Sequence, residues 1–539
     1  MSSRAGISDD RFVRARAQLA LAFLLSLTTG SVGAVVFNVA AGDTAGLIAA
    51  ITTANGNGVA NVINLGGGAY NLTTVDNTSL TGGANGLPEI INTLTINGNG
   101  ATIARTGAPL FRVLQVGSTT GTAGALTLNN VTISGGNPGQ LFINPQAVSD
   151  GGGIMVLAAN STLALNASTI SGNTSRGGGG ISIEGTSASA VITNSTISGN
   201  SATGITGGGF GGGVGVEGFM SSLTVVGSNI INNVAGTGTA SVGSAGGAIS
   251  VDGGANVVTI TDSTIAGNLA NGGVAGAVGG AIAETGGNAS IYVITGSTIN
   301  NNSATATAGL TRGGAFVALA DATVTIRNST ISGNSLATPN AIADGGAILN
   351  NGGALFVLSN VTIANNSAKT AGGLLQTGTG SITLRNSILA GNTASTASPD
   401  CNGAIASQGH NLVGSTAGCT FAAGTGDLPN VAANLGPLAS NGGPTQTHGL
   451  NPGSAALDSG DPGVPGSGGT ACEATDQRGT TRPQGPRCDI GAFEVAGAPP
   501  PPPPVASVAV PTLSEWALYL LAALVALSGV AYWRQRKGV

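Results

Sequence analysis

Charge is scarce in this chain. Of its 539 residues only 7% are Asp, Glu, Lys or Arg, and the formal net charge is −5. A disordered chain is rich in charge and poor in aliphatics, whereas 41% of this one is hydrophobic. Disorder is therefore excluded, and so is the basic face that nucleic-acid binding requires. Aromatics make up only 3%, so the core must be thin and built from Ile, Val, Leu and Ala. The chain has only two histidines, His410 and His448, and neither has a nucleophile nearby in sequence. No G-x-S-x-G elbow and no H-E-x-x-H occurs. The four cysteines include no C-x2-C pair, which argues against zinc. The 93 glycines do not follow the Gly-x-y period of collagen.

What the chain does have is a repeat. The phrase S-T-I-x-G-N, or a near variant, occurs nine times. Its Ile falls at Ile133, Ile170, Ile197, Ile230, Ile265, Ile299, Ile331 and Ile363, with Leu389 in the last copy. Successive copies lie 26 to 37 residues apart, a period that marks a stacked-repeat architecture. Each unit also carries a Gly-Gly step into a short strand, as in GGGGISIE (177–184), GGGVGVE (211–217) and GGAISVD (246–252). An alternating strand then runs into the phrase, as in ASAVITNSTISGN (188–200). Period-2 alternation punctuated by Gly and Asn is a strand-turn pattern. The prediction is an all-β right-handed parallel β-helix over 125–395, with the Ile stacked inward at about 4.8 Å per coil. The terminal Asn is predicted at a bend, in left-handed backbone, with Asn side chains hydrogen-bonded along the rod. The Gly-Gly step is expected to form a sharp corner.

Residues 35–124 read as an N-terminal cap and first coils. A helix over 44–54, capped by Asp43 and burying Leu47, Ile48 and Ile51, would plug the open end of the rod. Before it, Arg11, Arg14 and Arg16, an apolar run from Ala17 to Leu27, and Val32-Gly33-Ala34 give the pattern of a secretory signal peptide over 1–34. Over 396–497 the period fails and Cys401, Cys419, Cys472 and Cys488 appear. Export brings an oxidising compartment. Three pairings are possible, and the two local pairs, Cys401–Cys419 and Cys472–Cys488, are favoured. A Pro-rich linker (498–509) leads to VPTLSEW and an apolar run from Ala517 to Trp533, closed by Arg534, Arg536 and Lys537. The run is about 25 Å long as a helix, enough to span a bilayer with the basic cluster in the cytoplasm.

Three segments resemble known families. The repeats, with GGAI at 246–249, 279–282 and 345–348, resemble exported β-helix proteins of the polymorphic outer-membrane type. The segment 400–494, with NGGPTQTH, DQRG and CDIGAFE, resembles the choice-of-anchor Q domain. The tail 510–539, with Pro511, Thr512, Leu513 and Trp516, resembles the IPTL-CTERM sorting signal. That last resemblance implies recognition by an exosortase-like membrane enzyme of a Gram-negative bacterium. None of the three implies one defined activity.

The acids of the repeat are few, and three stand in register. Glu184, Glu217 and Asp252 each follow a Gly-step strand, point outward and stack on consecutive coils, about 5 Å apart. Like charges so placed repel, and Ca²⁺ would relieve the repulsion. The strip is thus either a plain solvated face, a Ca²⁺ or glycan-binding site, or a catalytic face; glycoside hydrolysis needs two such carboxylates. Glu284 falls one residue earlier and is expected to continue the column from a turn. Asp458, Asp461, Asp476, Arg478, Arg482, Asp489 and Glu494 form the densest charge group and read as a structural salt-bridge network. The sequence therefore predicts an exported structural or adhesive rod without an assigned cofactor. It would be tethered at the inner membrane during processing, then displayed at the outer membrane or cell surface or released, with surface or matrix glycans as partners. The alternative is a polysaccharide lyase or glycoside hydrolase using the Glu184–Glu217–Asp252 face.

Overall fold

A computed structural model of the chain describes residues 33–497 and 514–538, except 80–82, 140–141, 144–145, 148–149, 205–207, 238, 240–241, 288 and 338–341. Residues 1–32 of the signal peptide, the Pro-rich linker and Pro511, Thr512 and Leu513 lie outside the described residues. Two compact units are present, one ending at Val495 and one containing the C-terminal helix.

The first unit is a parallel β-helix. Each coil contributes a three-residue strand after the Gly-Gly step (the glycine face, for example Ile181–Ile183), a five- or six-residue strand (the long-strand face, Ser189–Thr193) and the phrase strand (the phrase face, Thr196–Ser198). Strands of one kind pair in parallel from coil to coil. The phrase Ile register is unbroken: Ile133 pairs with Ile170, and so on through Ile363 to Leu389. All nine side chains are fully buried. Stacking each methyl-rich chain on its copy above and below removes it from water without large aromatics. The predicted hydrocarbon spine is therefore present.

The terminal Asn hydrogen-bonds along the rod as predicted, but it is not the left-handed residue of the bend. Two left-handed residues do bend each phrase, but they are the first residue and the one before the last, such as Asn194 (φ 48°) with Gly199 (φ 61°), or Asn328 (φ 43°) with Gly333 (φ 68°). The terminal Asn instead turns inward. Its side-chain N–H donates to the Oδ1 of the next copy at 2.8–3.0 Å, from Asn173 through Asn200, Asn233, Asn268, Asn302, Asn334 and Asn366 to Asn392. The ladder ends on the Asp400 carboxylate at 2.9 Å. A parallel serine ladder, in which the Ser168 N–H donates to Ser195 Oγ at 3.0 Å and Ser195 N–H to Ser228 Oγ at 3.0 Å, was not foreseen. These ladders satisfy backbone groups that the turns leave unpaired inside the rod.

The Gly step is a corner with a second purpose. Its first residue is left-handed, as at Gly178 (φ 54°). At the next position the coils approach so closely that a Cβ on Gly152 would lie 2.5 Å from the Gly179 carbonyl oxygen. At the N-terminal end the helix Thr44–Gly56 closes the core as expected, with Asp43 accepting from the Gly46 N–H at 2.8 Å and with Leu47 and Ile51 buried.

The C-terminal segment does two jobs. Residues 401–429 add strands to the far end of the stack, and both local disulfides form, Cys401–Cys419 and Cys472–Cys488. Residues 441–494 do not sit on the end; they fold back along the phrase face. Thr298 Oγ donates to the Gln446 carbonyl at 2.6 Å, Thr330 Oγ to Gln477 Oε1 at 2.6 Å, and the Ala492 N–H to Thr362 Oγ at 3.0 Å. The acidic and basic residues of this segment form a buried network, with Arg482 bridging Glu494 at 3.0 Å and Arg478 bridging Asp476 at 2.7 Å while lying over the Phe493 ring.

The second unit contains one helix, Glu515–Arg536, long and apolar enough to cross a membrane. Trp516 lies in its first turn, and Arg534 and Arg536 in its last.

Candidate functional site: an acidic cluster outside the glycine face

Glu184, Glu217 and Asp252 do occupy equivalent positions. Each backbone N–H, leaving its strand, donates to the coil below: Glu184 to Val156, Glu217 to Ile183, Asp252 to Val216. Their side chains then diverge. Asp252 stays exposed and accepts from Thr285 Oγ at 3.2 Å. Glu184 and Glu217 turn back across the outer surface of their own strands. The residues that make room are glycines. A Cβ on Gly215 would stand 3.2 Å from Glu217 Oε1, and one on Gly177 would stand 2.9 Å from Asp150 Oδ1.

There they meet two residues that the sequence reading did not join to the column. Carboxylate oxygens of Asp150, Glu184 and Glu217 lie within 4.8 Å of one another. Arg176 grips Asp150 with two hydrogen bonds, Nε to Oδ1 at 3.1 Å and a terminal nitrogen to Oδ2 at 2.8 Å, and reaches Glu217 at 3.7 Å. Beneath them Arg112 is fully buried and donates to the Asp150 backbone carbonyl at 2.8 Å and to Asn85 Oδ1 at 3.0 Å. The trio is therefore Asp150, Glu184 and Glu217, with Asp252 outside it. The signal for Asp150 and Arg176 was their place just before consecutive Gly steps, which the wrap of one coil carries beside the acid that ends the strand.

The electrostatics follow from crowding and burial. Burial, reinforced by the charge of Asp150, pushes the Glu184 carboxyl up to about 7. Burial and the neighbouring Glu184 hold Glu217 well above the usual carboxylate range. Asp150 is also raised by burial, against the pull of Arg176. The cluster thus retains protons near neutral pH, and a Ser182 hydroxyl hydrogen-bonds Glu184. Chemically it can hold or release a proton, or bring three carboxylate oxygens to a cation. Arg176 already supplies the positive charge that the sequence reading assigned to Ca²⁺.

Glu284 does not continue the column. Being one residue early, it pairs in register with Val251 and Ala318 and points into the core, where the Tyr292 hydroxyl donates to it at 2.6 Å. Burial pushes it, too, up to about 7.

With this geometry in place, comparison with known proteins adds a precise finding about the tail. Residues 508–536 match the IPTL-CTERM motif. The chain therefore carries a sorting signal and is an exported, membrane-associated protein. No curated protein matches it. Among solved structures it is similar to a pectate lyase, Pel9A, at 14% identity and a TM-score of 0.40, over 87% of this chain and 98% of that one.

Proposed function

We propose that the protein is a structural or adhesive rod displayed by its C-terminal sorting signal. The observation that carries this reading is the IPTL-CTERM motif at 508–536, attached to a β-helix closed by a helix at one end and added strands at the other. An exosortase-like enzyme would recognise Pro511, Thr512 and Leu513, release or transfer the rod, and leave it at the cell surface or in the matrix. The signal peptide over 1–34 would start the route. The 396–497 segment acts as a choice-of-anchor-Q-like module, whose motif residues Gln446 and Gln477 clamp it on the rod while Arg478 braces it internally through Asp476 and Asn441. Surface or matrix glycans are the proposed contacts. Replacing Pro511-Thr512-Leu513 by Ala in a host that has an exosortase should leave the full-length protein unprocessed; a product of unchanged size would end the sorting claim.

One observation favours a second reading. Glu184 is held near 7 beside Arg176 on an outer face, the condition for general acid work on a glycan. Purified protein incubated with acidic and neutral polysaccharides would then yield new reducing ends or unsaturated products, and Glu217→Gln would abolish them. No product from any glycan removes this reading.

A further inference from the structure

A further twelve-stranded sheet of short strands flanks the coils, and the three main faces differ in what lies outside them. The outside of the glycine face is filled by the acidic cluster and, on later coils, by Ala283, Val317, Leu349 and Leu375 packed under neighbouring strands. The phrase face is covered by 441–494 on its last coils. On the long-strand face the C-terminal segment reaches the edge of the last coils, where Glu473 meets Arg327, Ser359 and Arg385; the central and preceding rows lie outside that contact.

That face is regular to an unusual degree. Twelve strands stack in register over a stretch of about five residues each, from Val35–Val39 to Ser381–Arg385. The central outward row runs from Val36 through Val191, Thr224 and Thr259 to Thr383 and contains only Val, Thr and Ala. The row before it is uncharged and sets Val257, Ile291 and Leu355 at 38–51% exposure. The row after it opens with an asparagine ladder, Asn166 to Asn129 to Asn97 to Asn64 to Asn38, each step 2.8–3.1 Å. Its only two charges, Arg327 and Arg385, are both spent on Glu473.

We infer that this face is the contact between two copies of the chain. At about 4.8 Å per coil and about 3.3 Å per residue the face measures roughly 53 by 16 Å, or about 850 Å². A stable interface covers about 800 Å² per partner. Within this face Val191, Val257, Ile291 and Leu355 are exposed, and clustered exposed apolar side chains mark interaction sites. β-Branched rows interdigitate when two sheets pack face to face, and an uncharged surface of this kind is complementary to itself, as a two-fold contact demands. A charged partner would find nothing here to pair with.

The test uses residues 35–497, a unit with its own closed core, and exploits the fact that all four native cysteines are bound in disulfides. Sedimentation at high micromolar concentration should give a dimer. Thr224→Cys lies mid-length in the central row, near any two-fold axis of the contact, and should oxidise to a covalent dimer. Thr52→Cys, on the exposed side of the N-terminal helix, should not. The double variant Thr224→Lys/Thr259→Lys should weaken dimerisation at least tenfold with an unchanged melting curve. A monomer at every concentration, or equal cross-linking of the two cysteine variants, overturns the inference.

Discussion

The outside of the glycine face is one groove filled in two ways. On the early coils it holds Arg112, Gln115, Asp150, Arg176, Glu184 and Glu217, tied by hydrogen bonds and ion pairs. On the later coils the equivalent space holds Ala283, Val317, Leu349 and Leu375. Backbone register is the same throughout. The fold therefore has no need of buried ions here, and apolar filling is the cheaper solution. A polar half that the architecture does not require is where a function of the rod's side would lie, and that is why the cluster rather than the apolar half is the candidate site.

The sharpest way to break the comparison is to make the apolar half resemble the polar one without its partners. Val317→Asp would place a carboxyl in a fully buried site among Ala283, Leu349 and Leu375. It should cost roughly 4 kcal/mol, seen as a lower melting temperature or loss of soluble protein.

Lowering or raising the pH tests the polar half, once the core carboxyl of Glu284 is accounted for. Glu184 in the folded rod has its carboxyl raised from 4.5 to about 7. Between those values the folded form binds more protons than the unfolded form. The stabilisation is therefore complete below about pH 4.5 and is lost as pH rises through 7. The difference is on the order of 3 kcal/mol. Glu284 titrates in the same window, so the measurement is a melting curve against pH for the parent, Glu184→Gln and Glu284→Gln. Each variant should flatten part of the slope; a slope unchanged in Glu184→Gln would mean that Glu184 holds no extra proton in the folded rod. Arg176→Met comes next. Its side chain is 28% exposed, so the loss of its pairs should cost about 2 kcal/mol rather than the full value of a buried bridge. It should also move the pH slope to higher pH, because Glu217 and Asp150 lose the charge that favours their ionised forms.

How much of this was legible in the sequence depends on whether the partners share the repeat. Ile197 and its copies could be read because each packs on its own equivalent. Glu184 and Glu217 could be placed on one column for the same reason. Asp150 and Arg176 could not be joined to them, since they lie 34 and 41 residues from Glu184 and Glu217 respectively, and the wrap of a coil, not the period, brings them together. The left-handed residues were misassigned by one position because Asn and Gly both tolerate that backbone. The phrase ends in Gly-Asn in most copies, and Gly adopts it at no steric cost, so the Asn was free to turn inward. The docking of Gln446 and Gln477 on Thr298 and Thr330 left no trace in the pattern at all, because 441–494 has no periodic relation to the coils it covers.

The smallest expected effect concerns calcium. Ca²⁺ is held by six to eight oxygens, several of them ionised. The trio offers three carboxyl groups, but Asp150 has both oxygens on Arg176 and the other two favour their protonated forms. A divalent ion would have to displace a guanidinium and compete with protons on Glu184 and Glu217. Adding EDTA or millimolar Ca²⁺ at pH 7 should therefore leave the melting curve of the parent protein unmoved. The same addition to Arg176→Met should stabilise it, more so at pH 8 than at pH 6, because the site then has a vacancy for positive charge and fewer protons to lose. A stabilising shift in the parent would mean that the cation, and not Arg176, neutralises this cluster, and the two halves of the groove would then differ in ligand as well as in filling.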